Sequence, residues 1–232
     1  MIEGSTPDDT LAREMTEAID KLLNAAAQAR REKRPEDGRR ELIEAVALAR
    51  EAHDPRQLVR ALTELGRIER DLGHGDAALA AYDDAAAIYR RDEDALKLAH
   101  TVRHIGDIHQ DAKRADAAEA CYHEALALYG AHPEAPVLDL ANAVRPLALL
   151  KDDAGEFDEA DRLWEQAKNL YEAVNVQAGV AGCAARLALL ARRRENPERA
   201  RKMLAEASAA AEKSGDYNSV RYVNEVRTWI AG

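Results

Sequence analysis

Apolar and small residues recur along this chain with a period of about forty. Ala26, Gly66, Gly106, Ala148 and Ala188 are spaced by 40, 40, 42 and 40 residues. Twelve residues after each stands Gly38, Ala78, Ala118, Ala160 and Ala200. Nineteen after each is an alanine: Ala45, Ala85, Ala125, Ala167 and Ala207. An apolar residue precedes each first site (Ala25, Leu65, Ile105, Leu147, Leu187), and sixteen after it comes a large one (Leu42, Tyr82, Tyr122, Trp164, Leu204). Such a register predicts two antiparallel helices per repeat. Small residues let the backbones approach, and the large residue fills the space between. Tyr82 and Tyr89, Tyr122 and Tyr129, and Trp164 and Tyr171 are seven apart and share a helix face.

The turn residues divide the chain the same way. Thr6-Pro7, Asp54-Pro55 and Asn196-Pro197 read as a helix cap followed by proline in the first turn. Pro35 and Pro136 also mark starts, and Gly73, Gly75, Gly155 and Gly215 mark ends. Eleven helices are predicted, near 8–33, 35–52, 55–73, 76–91, 94–113, 115–130, 136–154, 156–174, 176–194, 197–213 and 216–230. Pro146 falls inside the seventh, where the lost donor and crowding against the Asn142 carbonyl predict a kink. The expected fold is all-α: a right-handed α-solenoid of five helix-turn-helix repeats (8–53, 54–93, 94–134, 135–175, 176–214) and a capping helix, 216–230. It forms a single domain over 8–232 behind a short flexible N-terminus, 1–7.

Composition supports helix and removes alternatives. Aromatics are 4% of 232 residues and charged residues 33%. The abundance of Ala, Leu, Arg and Glu favours helix and disfavours a β-sandwich or barrel. The formal charge of −10 argues against nucleic acid and anionic membranes as partners. Cys121 and Cys183 form no disulfide framework or zinc pattern, and residues 1–6 lack a secretory signal. No apolar run reaches 18 residues. A cytoplasmic protein is expected.

The rows resemble the tetratricopeptide repeat over residues 19–230. Stretches such as LGRIERDLGHGDAALAAYDDAAAIY and IGDIHQDAKRADAAEACYHEALALY carry its small–small–alanine signature and second-helix aromatic. The unit is about six residues longer than the basic repeat and resembles kinesin light chain-like and bacterial regulatory arrays. Its first-helix tryptophan position holds Leu22, Leu62, Val102, Val144 and Ala184. The resemblance implies a non-catalytic scaffold or adaptor with a concave groove lined by the first helices. It disfavours chaperone-tail binding, because the Lys and Asn of a carboxylate clamp do not assemble here.

Helical spacing assigns the groove. Repeat two contributes Arg60, Thr63, Arg67 and Arg70; repeat three His100, Arg103, Asp107 and Gln110. Repeat four contributes Asn142, Arg145, Leu149 and Asp152; repeat five Gly182, Ala185, Leu189 and Arg192. Six arginines against two aspartates predict a positive stripe suited to an acidic or C-terminal peptide segment. The alternative is that Asp107, Asp111, Asp152 and Asp153 neutralise it. His100, His104 and Asp107 lie on one helical line that a metal could share, but lining the groove is the simpler role, so no metal and no cofactor are expected. No nucleophile–base pair, GxSxG, GxxxxGK or GxGxxG occurs, so no enzyme is expected. On the last helix, Tyr222, Val226 and Trp229 are placed on the groove side, and Val220, Val223 and Ile230 toward repeat five. Self-association through this helix, as a structural scaffold, is the alternative function; a metal-dependent enzyme at His100 and His104 is the weakest.

Overall fold

A computed structural model describes residues 7–231. The described residues form eleven helices: α1 (Pro7–Arg31), α2 (Pro35–Glu51), α3 (Pro55–Asp71), α4 (Gly75–Arg91), α5 (Ala95–Asp111), α6 (Ala115–Gly130), α7 (Val137–Asp153), α8 (Phe157–Ala173), α9 (Gln177–Arg193), α10 (Pro197–Ser214) and α11 (Tyr217–Ala231). Each lies within a few residues of its expected span. Asp54 caps α3 by accepting from the backbone N–H groups of Arg56 and Gln57, and Asn196 caps α10 through Arg199, each with proline in the first turn. The expected cap at Thr6 lies outside the described residues. Helix α7 continues through Pro146.

Helix ends repeat one device. The residues at 33, 53, 73, 93 and 113, and again at 155, 175, 195 and 215, have positive φ. At all of these but 215 the next backbone N–H reaches back across the turn, as from His74 to the Glu69 carbonyl (2.8 Å) and from Glu156 to the Lys151 carbonyl (2.9 Å), whereas that of Asp216 donates to the Ser214 hydroxyl. This closure satisfies carbonyls that the helix end leaves open. Only Gly73, Gly155 and Gly215 are glycine. Lys33, His53, Glu93, Lys113, Asn175 and Glu195 adopt the same geometry, which a glycine-based reading of helix ends does not reveal. The extra two residues of the forty-two spacing lie in the loop between α6 and α7.

The chain divides into two compact units, Met1–Arg114 and Ala115–Gly232. The boundary falls between the two helices of repeat three. In the first unit, Gly66 of α3 shows why a small residue is required: a Cβ there would meet the Tyr82 ring at 2.8 Å. Ala45, Ala85, Ala125, Ala167 and Ala207 are all fully buried. In the second unit Val144, Trp164, Tyr171, Leu187 and Met203 form one apolar cluster. Burying a large apolar side chain of this kind stabilises the fold by about 1.5–3 kcal/mol. Helix α11 packs against α9 and α10. Val226, expected on the groove side, is fully buried in the cluster beside Val223. The valines at 223 and 226 are three apart on the same inward stripe, which corrects that assignment. No described helix is long and apolar enough to cross a membrane.

Candidate functional site

In the first unit the sequence-assigned Arg70, His100, Arg103, His104 and Asp107 form one polar network across α3 and α5, while Arg60, Thr63 and Arg67 have partners of their own. Arg60 is exposed, and its Nη1 donates to Asp20 of α1 at 3.0 Å. The Thr63 hydroxyl donates back to the Val59 carbonyl at 2.8 Å. Arg67 pairs with Glu64, one turn earlier. Arg70 links the helices, with Nη1 3.1 Å from Asp107 and Nε 3.0 Å from Asp111. Arg103 Nη1 reaches the same Asp107 oxygen at 3.0 Å, and its Nη2 lies 2.7 Å from His104 Nε2. The two histidine Nε2 atoms are 3.2 Å apart, and the His104 ring stacks on Tyr82 with centroids 5.4 Å apart.

Burial and neighbouring charge set the protonation of this network. Burial, reinforced by His104 and Arg103, lowers His100 to about 4. Burial also lowers His104, against the pull of Asp107. For Asp107, burial pushes upward, but the hydrogen bond from His104 and the charges of Arg103 and Arg70 outweigh it, so its carboxyl lies below the usual range. Both imidazoles are therefore neutral near pH 7 and offer hydrogen bonds rather than charge. Among the described residues no group of three or more His, Cys, Asp and Glu is placed to hold a metal ion. The Nε atoms of Arg67 and Arg103 are sealed from solvent with no acceptor.

This arrangement revises the expected bare positive stripe. In the first unit Arg60, Arg67, Arg70 and Arg103 each sit on a carboxylate, two of them on the Asp107 and Asp111 named as neutralising partners. The arginines are compensated because acids on α1, α3 and α5 fall within one turn or one helix spacing of them.

The second unit treats its assigned residues differently. Asn142 accepts from the Tyr171 hydroxyl at 2.8 Å. Arg145 is exposed, and Arg192 Nε lies 3.3 Å from the Ile230 carbonyl. Leu149 and Leu189 are half-buried and pack against the apolar cluster, and Ala185 is fully buried, so these three support the core rather than an open polar face. Asp152 is nearly inaccessible. Its partners are Arg193 at 3.0 Å and Arg186 at 3.8 Å, not the assigned arginines. Arg186 also lies 6.0 Å from the ring centroids of Trp164 and Tyr222. Sequence reasoning missed this cluster, since Arg186 reads only as a charge interrupting an apolar run. Burial pushes the Cys183 thiol up to about 12, so it is no nucleophile.

The tetratricopeptide repeat family profile matches residues 58–91. No curated protein matches the chain. Among solved structures, BtubC (BKLC) from P. vanneervenii is 16% identical with a TM-score of 0.74, over 92% of this chain and 94% of that one. Aspartyl phosphate phosphatase F from Bacillus subtilis is 10% identical with a TM-score of 0.85, over 95% of this chain and 57% of that one. The tetratricopeptide-like repeats of a putative kinesin light chain from Podosopora anserina are 14% identical with a TM-score of 0.66, over 84% and 96%. At these identities the likeness is one of fold: all-helical repeats of the tetratricopeptide kind.

Proposed function

We propose that this tetratricopeptide-repeat chain is a non-catalytic adaptor that holds a peptide segment of another protein on the α3–α5 face of its first unit. The observation that carries the reading is the row of arginines on α3, where Arg60 is exposed and Arg67 and Arg70 are half-exposed on one helix face. Their outward N–H groups are donors that an incoming carboxylate or carbonyl can accept from. The neutral His100 and His104 add hydrogen-bonding capacity without adding charge. Because the arginines already have carboxylate partners, an acidic peptide competes with Glu64 and Asp107, and binding weakens only moderately with salt.

Selection of displayed peptides on the purified chain, followed by titration against an Arg67→Glu, Arg103→Glu double variant, tests this reading. Enriched sequences carry Asp, Glu or a free C-terminus and lose at least tenfold in affinity for the variant. Equal affinity for both proteins would overturn it. A second reading, self-association, is favoured by one observation: Trp229 and Tyr217 on α11 are 62% and 74% exposed. Light scattering of wild type and Trp229→Ala decides it, since an unchanged mass removes that reading.

A further inference from the structure

A cleft of about 650 Å³ opens between α1, α2 and α3, within the range that holds small ligands. Leu23, Leu42 and Ile68 line it with apolar surface. Its origin follows from the forty-residue register. One repeat later, the positions of Ala26, Leu42 and Glu64 are held by Gly66, Tyr82 and His104. There the Tyr82 ring lies against Gly66 and stacks on His104. Tyr122 and Trp164 hold the same position in the next two repeats. Repeat one, like repeat five with Leu204, has a leucine here, so the space that a ring fills in repeats two to four is left open in front of Glu64.

The charged residues around this space are not balanced. Arg30, Arg31, Lys33 and Arg67 border it, against Glu64 and Asp71. Arg30 pairs with Asp71 at 3.1 Å, as Arg70 pairs with Asp111 one repeat later. Arg67 pairs with Glu64. Two positive charges, on Arg31 and Lys33, remain in excess. The counterparts of these two positions in repeat two are Asp71 and Gly73, so the surplus belongs to repeat one alone.

We propose that this cleft binds a small amphiphilic anion: a free organic acid with one carboxylate on a compact aryl or medium-chain acyl body. The body takes the place of the missing ring against Leu23, Leu42 and Ile68, and the carboxylate meets Arg31, Lys33 and the Arg67 guanidinium. The site shares Arg67 with the peptide face, but its test acts on Leu42 and Ala27 and so is decided separately from that reading.

Calorimetric titration of the full chain tests the proposal. The probes are 4-phenylbutyrate and decanoate, with 4-phenylbutyramide as the uncharged form and acetate as the acid without a body. The two acids bind once per chain. The amide binds at least tenfold more weakly, and acetate does not bind. Leu42→Tyr supplies the ring of repeats two to four, and Ala27→Tyr obstructs the mouth from an exposed position. Each weakens the acids at least tenfold while helical content is retained. Should Leu42→Tyr fail to fold, Ala27→Tyr alone decides. Absence of binding at millimolar acid, equal binding of the amide, or binding unchanged in Ala27→Tyr overturns the proposal.

Discussion

The two units solve the same local problem with opposite charges. In the first, Glu69 of α3 is buried between Arg39 Nε and His74 Nδ1, each 2.7 Å away. In the second, Lys151 of α7 is buried between Glu119 at 2.7 Å and Glu156 at 3.1 Å. The positions correspond. Glu69 and Lys151 are three residues after a first-helix small site, Arg39 and Glu119 one after a second-helix small site, and His74 and Glu156 one after a left-handed glycine. Even the exposures match: 34% and 46% for the flanking side chains of the first, 34% and 48% for those of the second. The repeat fixes where a buried charge and its two half-exposed partners sit. The sequence chooses the sign.

Breaking that correspondence at its centre has the largest expected effect. Glu69→Lys places a buried cation between Arg39 and His74 and is expected to cost about 3–5 kcal/mol by chemical denaturation. Adding Arg39→Glu and His74→Glu copies the second unit's solution and recovers most of the loss. A triple variant no more stable than the single one would show that the geometry is not shared.

Acid separates the units next. His100 titrates at about 4 in the fold against an ordinary 6.5. Between these values the unfolded chain takes up a proton that the folded imidazole refuses. Stability is therefore whole above pH 6.5 and falls toward pH 4, by up to about 3 kcal/mol. Asp152 works in the opposite sense, because burial raises its carboxyl despite Arg193 and Arg186. Melting temperatures from pH 8 to 4.5 are expected to fall less steeply in His100→Leu than in wild type; equal slopes would remove His100 as the cause.

Smaller effects follow at the small sites and caps. Gly66→Ala drives a methyl into the Tyr82 ring and is expected to cost about 1–3 kcal/mol. At the matching site of the second unit a methyl already fits, so Ala148→Gly costs only about 0.5–1 kcal/mol through helix propensity. Asp54→Ala and Asn196→Ala each remove one cap and are expected to lose about 1 kcal/mol by the same measurement. Smallest of all is a difference expected to vanish. Both tryptophans, Trp164 and Trp229, lie in the second unit. If 8–232 acts as one domain, as we propose, tryptophan fluorescence and far-ultraviolet circular dichroism give the same melting curve.

The helices are legible because the small-residue register runs through all five repeats, and α3 and α10 add the caps Asp54 and Asn196 with proline in the first turn. The arginine pairings were less so. Helical spacing placed Arg70 and Asp107 on neighbouring faces, but their joining depends on side-chain reach across two helices. Val226 was misplaced because one residue of helical phase, 100°, separates a core face from a groove face. The Arg186–Asp152 cluster left no mark in the sequence, since an ion pair that joins α7 to α9 has no spacing within either helix. The cleft at Leu42 has only a faint mark in the sequence, because the column of large residues that holds rings in repeats two to four holds leucine in both repeat one and repeat five.

The left-handed helix ends give the chain a phase. They recur every twenty residues, at 33 through 113 and again at 155 through 215. A segment of forty residues cut out between two such ends restores a first helix to a first-helix place and leaves every buried alanine facing its neighbour. A cut of twenty residues rejoins just as smoothly at the turn, yet exchanges first helices for second ones and turns the small residues toward the wrong partners. The turn thus accepts a change of one helix as readily as a change of one hairpin, and only the small-residue register tells the two apart.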